Sequence, residues 1–516
     1  MEAAEGNTQF SKLRSFFWPV HRHELKKFIP MLLMFFLITF DYNVLRGLKD
    51  AIVITAKDAG AEVIPFIKVW AMFPTSILLT YFFVRLSNRF SCEKVFYIML
   101  SFFLVYFFAF AFFLYPIRES LHAYETGELL QQMLPKGLKG FVSMYRYWIF
   151  TSFYVMAELW SNIVLSLLFW GFANQVTQLD EAKRFYGLFG LGVNFSGIAA
   201  GLASISIAKI PQYTPLFGQD TWAQSMTVNI CLVLVAGILT LFVFRWFNRH
   251  CLPAAKQELH YEPGGTKKKF SMRENLRYVC TSSYVLSIAV IIIAYNLIIN
   301  LVEVMWKDQA RELYPDPLAY NLFQNEITTI TGITATIAAL FVSGVCLRKF
   351  GWTFTAMLTP MILLITSIGF FGFFFLKESS LSILHFTGAS PLMLVVFFGS
   401  LQNCFSRAAK YTVFDATKEM AFIPLPAAEK VKAKAAIDGV CNRLGKSTGS
   451  VIYNVLLLSF SSIAASVPYV GIFLFFALIL WIMSIRFLGR KFNTLVQKEP
   501  SPTYCEDLQL QAAQGL

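Results

Sequence analysis

The sequence predicts an all-α membrane protein with twelve transmembrane helices in two six-helix bundles. Three observations carry that reading. The chain of 516 residues is 56% hydrophobic and only 15% charged, with a mean hydropathy of +0.56, and a soluble domain of this length carries more charge. The apolar residues come in runs of about 20, each long enough to cross about 30 Å of hydrocarbon. A membrane β-barrel would instead alternate apolar and polar residues over strands of roughly ten. Finally, basic loops alternate with more acidic ones along the chain.

Residues 1–27 are polar and basic and show no compact apolar stretch with a small-residue cleavage site, so the first span is expected to act as the insertion signal. Six spans follow, at 27–55, 63–86, 94–117, 145–176, 185–210 and 226–247. A polar linker at 248–275 carries Pro253, Pro263-Gly264-Gly265 and Lys267-Lys268-Lys269. Six more spans are expected at 282–306, 322–347, 352–376, 392–416, 433–458 and 466–488. With the amino terminus inside, the inner loops hold Arg85, Arg89 and Lys94; Lys183 and Arg184; the Lys267 cluster; Arg348 and Lys349; Lys430, Lys432 and Lys434; and Arg486, Arg490 and Lys491. The outer loops hold Glu119, Glu125, Glu128, Asp220, Asp308, Glu312, Asp316 and Glu378. The positive-inside rule then places both termini in the cytoplasm, and the net charge of +13 reads as loop and pore charge, with no nucleic acid implied.

The expected domains are 1–247, a basic linker at 248–281, and 282–516 with a cytoplasmic tail. Two sixes joined by a basic linker is the plan of major-facilitator-like carriers. An internal echo supports it. Span one reads YNVLRGLKDA from Tyr42 and span seven reads YNLIINLVEV from Tyr295, so that Asn43 matches Asn296 and Asp50 matches Glu303.

The chemistry concentrates in charge at membrane depth. Residues 40–55, FDYNVLRGLKDAIVIT, place Arg46, Lys49 and Asp50 inside the first span. Asn43, Arg46 and Lys49 recur every third residue, along one broad helix face. Charges at that depth face a bundle interior or a watery cavity. Glu158 in span four, Glu303 in span seven, Arg407 and Lys410 in span ten, and Arg443 and Lys446 in span eleven extend the set. Two readings overlap: a mixed-charge cavity for a polyanion, and internal ion pairs that hold the helices together.

Other motifs are weaker. Gly439–Ser447, GVCNRLGKS, mimics a phosphate loop, but five residues separate Gly439 from Gly445 where the motif needs four, and no strand precedes it. Gly187, Gly190, Gly192, Gly197 and Gly201 in span five read as helix packing, with a bending helix as the alternative. Asn194-Phe195-Ser196 is a glycosylation sequon inside a span and is discounted. The eight cysteines and six histidines form no redox pair, metal-ligand spacing or catalytic group, so neither an enzyme nor a resident cofactor or metal is expected.

YNVLRGLKDAIVIT, FYVMAELWSNIVLSLLFWGFANQ, NLVEVMWK and KEMAFIPLPAAEKVKAKAAIDGVCNRLGKSTG resemble the ATP/ADP translocases, the nucleotide transporters of obligate intracellular bacteria and plastids. The resemblance covers nearly the whole chain. It implies a carrier exchanging external ATP for internal ADP, often with phosphate, whose four characteristic charges fall on Lys49, Glu158, Glu303 and Lys446. The lack of a plastid transit pattern favours the bacterial branch and an inner-membrane location. On this reading Lys49 and Lys446, aided by Arg46 and Arg443, hold the phosphates, while Tyr42, Asn43 and Asn296 supply polar contacts to base or ribose. Glu158 and Glu303 either pair with the cations in the empty carrier or select the adenine amino group. The alternative is a proton-coupled importer of nucleotides or another organic anion, with Glu158 or Glu303 as the proton site. Membrane lipid is the expected surround, and a monomer the default.

Overall fold

Hydrocarbon offers the backbone no hydrogen-bond partners, so a chain of long apolar runs satisfies its amides within helices. The computed structural model describes residues 20–177, 179–213, 220–251, 272–376, 390–426, 429, 433–434, 436–437 and 441–498. Its elements in order are α1 (Leu25–Ile54), α2 (Val63–Ser87), α3 (Cys92–Leu114), α4 (Tyr124–Met133), α5 (Lys139–Arg146), α6 (Trp148–Val176), α7 (Leu179–Tyr213) and α8 (Thr221–His250). After the linker come α9 (Met272–Thr281), α10 (Ser283–Leu313), α11 (Pro317–Ile337), α12 (Phe350–Leu376), α13 (Pro391–Ala421), α14 (Asn442–Phe460) and α15 (Ile463–Lys498). Ten helices among the described residues are long and apolar enough to cross a membrane. The expected spans eight and eleven correspond to α11 and α14, which are not among those ten. The polar residues Asn321, Gln324, Asn325, Thr328 and Thr329 dilute α11, and Asn442, Arg443, Lys446 and Asn454 do the same for α14, in which Ser447–Phe460 is a shorter apolar stretch. The start of the expected span eleven, 433–458, lies in a stretch of which 435 and 438–440 are outside the described residues.

The chain divides into two units, Met1–Gly265 with Lys307–Thr336, and Thr266–Trp306 with Ile337–Leu516. The end of α10 from Lys307, together with α11, thus belongs to the first unit. Close approach of α7 and α11 is one physical reason. A Cβ on Gly201 would stand 2.0 Å from Thr329 Oγ1 and 2.8 Å from the Asn325 carbonyl, so only glycine admits that contact. A Cβ on Gly192 would stand 3.0 Å from Leu32 Cδ1, whereas Gly190 and Gly197 have no comparably close neighbour, so among the described glycines of α7 the packing role falls on Gly201 and, less tightly, on Gly192.

The core of the first unit is aromatic. Phe110 stacks on Phe153 at 4.3 Å, and the buried Trp160 donates its indole N–H to the Ile38 carbonyl at 3.0 Å, tying α6 to the middle of α1. In the second unit Tyr295 stacks on Phe414 at 4.4 Å, and both meet Trp481 edge-on. Phe73, Phe82, Phe102, Phe113 and Phe242 are exposed on the outside, as lipid-facing residues are. Described cysteines are free thiols.

The segment between α3 and α6 is folded, where the sequence suggested a plain acidic loop. Short helices α4 and α5 are joined by Arg146, which donates to Gln131 Oε1 at 2.7 Å. Trp148 Nε1 donates to the Leu121 carbonyl at 2.8 Å. His122 is enclosed edge-on by Tyr147 at 5.1 Å and Phe150 at 4.6 Å, and its Nε2 has no hydrogen-bond partner among the described residues. Burial pushes the imidazole down to about 4 from 6.5, partly offset by Glu119. The unfolded ring charges below 6.5 and the folded one only near 4. The stability contributed by this enclosure is therefore complete above 6.5 and is lost as pH falls through that window. Amide exchange across residues 118–147, corrected for intrinsic rate, is expected to accelerate between about pH 7 and pH 5. His122→Phe is expected to remove that acceleration; an unchanged pH dependence in the variant would place its cause elsewhere.

Candidate functional site

Charged side chains at membrane depth need partners, and each unit supplies them from the same pair of expected spans. In the first unit Lys49 and Asp50 on α1 and Lys307 at the end of α10 are 2%, 1% and 2% exposed. Lys49 Nζ lies 2.9 Å from Asp50 Oδ1 and 3.7 Å from Glu158 Oε1 on α6. Lys307 Nζ reaches the other oxygen, Asp50 Oδ2, at 2.9 Å. The Lys49 ammonium also sits over the Tyr154 ring, 4.0 Å from its centroid. Tyr154 and Glu158 are one helical turn apart, so α6 presents a ring and a carboxylate to the same cation. The four charges sum to zero, which offsets a desolvation cost of several kcal/mol per ion.

In the second unit Glu303 on α10 faces Arg407 on α13 at 3.5 Å. Spans one and four thus pair in the first unit, and spans seven and ten in the second, with polarity reversed: the cation is on span one but on span ten. Both partners abut a π-helical stretch, Ser161–Phe169 after Glu158 and Lys410–Phe414 after Arg407, a distortion frequent at functional sites.

The matched asparagines behave alike. Asn43 Nδ2 donates to its own helix at Thr39 and to Ser196 Oγ on α7. Asn296 Nδ2 donates to Ile292 and to Asn442 Oδ1 on α14, both at 2.9 Å. Each therefore links the first span of its unit to the fifth. The repeat suggested by the Tyr-Asn echo accordingly extends to the tertiary contacts. Tyr295, by contrast, is 3% exposed in the aromatic core.

Tyr42, Asn43 and Arg46 are half-buried on α1. Of the expected site residues, Lys49 and Glu158 are brought together. Arg443 and Lys446 lie within α14, and their side chains are outside the described residues. Between them Gly445 seats α14 against α10: a Cβ there would come within 2.9 Å of Asn296 Cβ and 3.0 Å of the Ile293 carbonyl.

Sequence reasoning missed Lys307 and Tyr154 as members of the Lys49 cluster. Lys307 closes the motif NLVEVMWK but falls one residue past the expected span 282–306, whereas the helix continues to Leu313; Tyr154 had only its spacing of four from Glu158 to mark it. It also passed over Asp41, fully buried on α1 with both carboxyl oxygens lacking a hydrogen-bond partner among the described residues.

The TLC ATP/ADP transporter family profile matches residues 3–492. The chain is 42% identical over 487 residues to "ADP,ATP carrier protein 1" of Chlamydia pneumoniae, covering 94% of each. It is 39% identical over 496 residues to "ADP,ATP carrier protein 2, chloroplastic" of Arabidopsis thaliana, covering 96% of this chain and 79% of the relative. Among solved structures, a D-xylose-proton symporter superposes with a TM-score of 0.54 at 13% identity, covering 90% of this chain and 97% of the symporter. A bacterial homologue of the iron transporter ferroportin in an inward-facing state gives 0.54 at 14% identity, covering 93% and 99%. At such identities the likeness speaks to the fold alone, an all-helical membrane fold of the major-facilitator kind. The chain belongs to the TLC ATP/ADP transporter family.

Proposed function

We propose that this protein imports ATP in exchange for ADP across the inner membrane of an intracellular bacterium, with both termini cytoplasmic. The observation that carries the reading is Lys49, enclosed within the first unit and held by Asp50, Glu158 and Tyr154. An ammonium kept at membrane depth by carboxylates is a site at which phosphate oxygens compete by the same charge-assisted bonds. The carriers of Chlamydia and Arabidopsis supply the substrate class by name. Arg46, Arg443 and Lys446 are assigned to the phosphates with Lys49, while Tyr42, Asn43 and Asn296 are assigned to base or ribose. Glu158 and Glu303 act as internal counter-ions that the nucleotide displaces. Phosphate can accompany ADP as a second anion on the same cations. The helices α11 and α14 complete twelve spans in two six-helix bundles, divided by the linker at 248–281, and the carrier works as a monomer surrounded by lipid.

Exchange follows from the pairing. In the empty protein the Lys49–Glu158 bridge fastens α6 to α1, and Asp50–Lys307 fastens the end of α10 to α1. Phosphate on Lys49 releases Glu158 and frees α6, so the loaded carrier moves and the empty one is held. Uptake of labelled ATP into vesicles of purified protein tests this: uptake requires internal ADP and is absent with buffer alone inside. Uptake driven by a proton gradient into nucleotide-free vesicles would instead establish the proton-coupled importer.

A further inference from the structure

Outside the charge clusters, the outer face of the first unit carries a groove of about 460 Å³ between α3 and α8. Arg245 and Arg249 on α8, with Glu93 and Tyr97 on α3, line one end, and Ile238, Leu241 and Phe242 line the rest. The two arginines are four residues apart, hence on one helix face. Neither guanidinium has a hydrogen-bond or ion-pair partner among the described residues. Glu93 is already engaged, accepting from the Tyr97 hydroxyl at 3.1 Å, and two cations against one carboxylate leave the polar end positive. The floor is fixed, because Phe244 stacks on Phe96 at 3.9 Å and meets Tyr97 edge-on.

The polarity runs in one direction. From Arg249 to Ile238 the helix rises about 16 Å at 1.5 Å per residue, passing from guanidinium to an apolar wall. Ile238 and Phe242 are 46% and 61% exposed on one of the most hydropathic spans of the protein. A cationic head region continuous with an exposed apolar groove matches a phosphodiester above acyl chains. We propose that this groove binds one anionic phospholipid, its phosphate bridged by Arg245 and Arg249 and its chains lying over Ile238, Leu241 and Phe242. Paired guanidiniums suit a phosphate diester because each offers a planar fork of donors, and basic pockets between membrane helices select anionic head groups. A zwitterionic lipid brings its own cation to the same arginines and is disfavoured.

Trp246, beside Arg245 and 46% exposed, is the reporter. The full-length protein is reconstituted in phosphatidylcholine vesicles containing a minority of phosphatidylglycerol or phosphatidylcholine brominated near the glycerol end of the acyl chains. Quenching of the Trp246 component, isolated by subtracting Trp246→Phe, is expected to be about twofold stronger with brominated phosphatidylglycerol. Arg245→Gln/Arg249→Gln is expected to abolish that preference while retaining helical circular dichroism. Native mass spectrometry gives a second reading, a retained phosphatidylglycerol that the double variant loses. Equal quenching by the two lipids, as when the linker or no lipid fills the groove, would overturn the proposal. So would a preference that survives in the double variant, or one that millimolar inorganic phosphate removes.

Discussion

Lys49→Ala is expected to lower nucleotide exchange by at least about a hundredfold, the equivalent of one charge-assisted contact of about 3 kcal/mol. The same change leaves Glu158 without the ammonium 3.7 Å away and removes one of the ammonium groups on Asp50, Lys307 remaining. Removing one partner of a buried pair costs about 3–5 kcal/mol, so a drop in thermal stability accompanies the loss. A second variant separates the two effects. Lys49→Met/Glu158→Gln removes the cation and its counter-ion together and keeps the balanced Asp50–Lys307 pair. Its unfolding temperature in detergent is expected to recover most of the loss seen in Lys49→Met, while exchange stays abolished. Full exchange in the double variant would reduce Lys49 to a structural ion.

Glu303 and Arg407 are the second test. Glu303→Gln and Arg407→Gln are each expected to slow exchange about tenfold or more and to destabilise the protein. The charge-swapped pair, Glu303→Arg/Arg407→Glu, should regain stability, giving a coupling energy of about 1–3 kcal/mol in a double-mutant cycle. Exchange should not recover, because the swap moves a cation onto α10 where the wild-type protein presents a carboxylate. The cycle requires thermal unfolding and vesicle transport on the same four proteins. Additive effects on stability would mean that the 3.5 Å pair contributes nothing to the fold.

Much of the helical plan was legible because the bilayer imposes a length. The first helix, Leu25–Ile54, lies within two residues of the span read from hydropathy alone. The Lys49 region was legible for the converse reason, since a charge in hydrocarbon is conspicuous in sequence. What could not be read was pairing. Asp50 and Lys307 are separated by more than 250 positions and meet only because α11 and the end of α10 pack with the first unit. Whether a buried lysine lines an open cavity or sits in a closed network depends on which carboxylates come within 4 Å, and Lys49 finds two of them. The helices α4 and α5 escaped because neither is long enough to show apolar periodicity; Arg146, Trp148 and His122 hold that segment through contacts made only in three dimensions.

The most direct measurement is the efflux of labelled ADP from preloaded vesicles into nucleotide-free medium, compared between wild type and Glu158→Gln. If the Lys49–Glu158 bridge holds the empty carrier, wild-type efflux is negligible until external ATP is added. Glu158→Gln then leaks ADP without external nucleotide, about tenfold faster for each 1.4 kcal/mol of holding energy removed. Wild-type efflux that is as fast without external nucleotide as with it, or a variant as tightly coupled as wild type, would contradict the role given to this bridge.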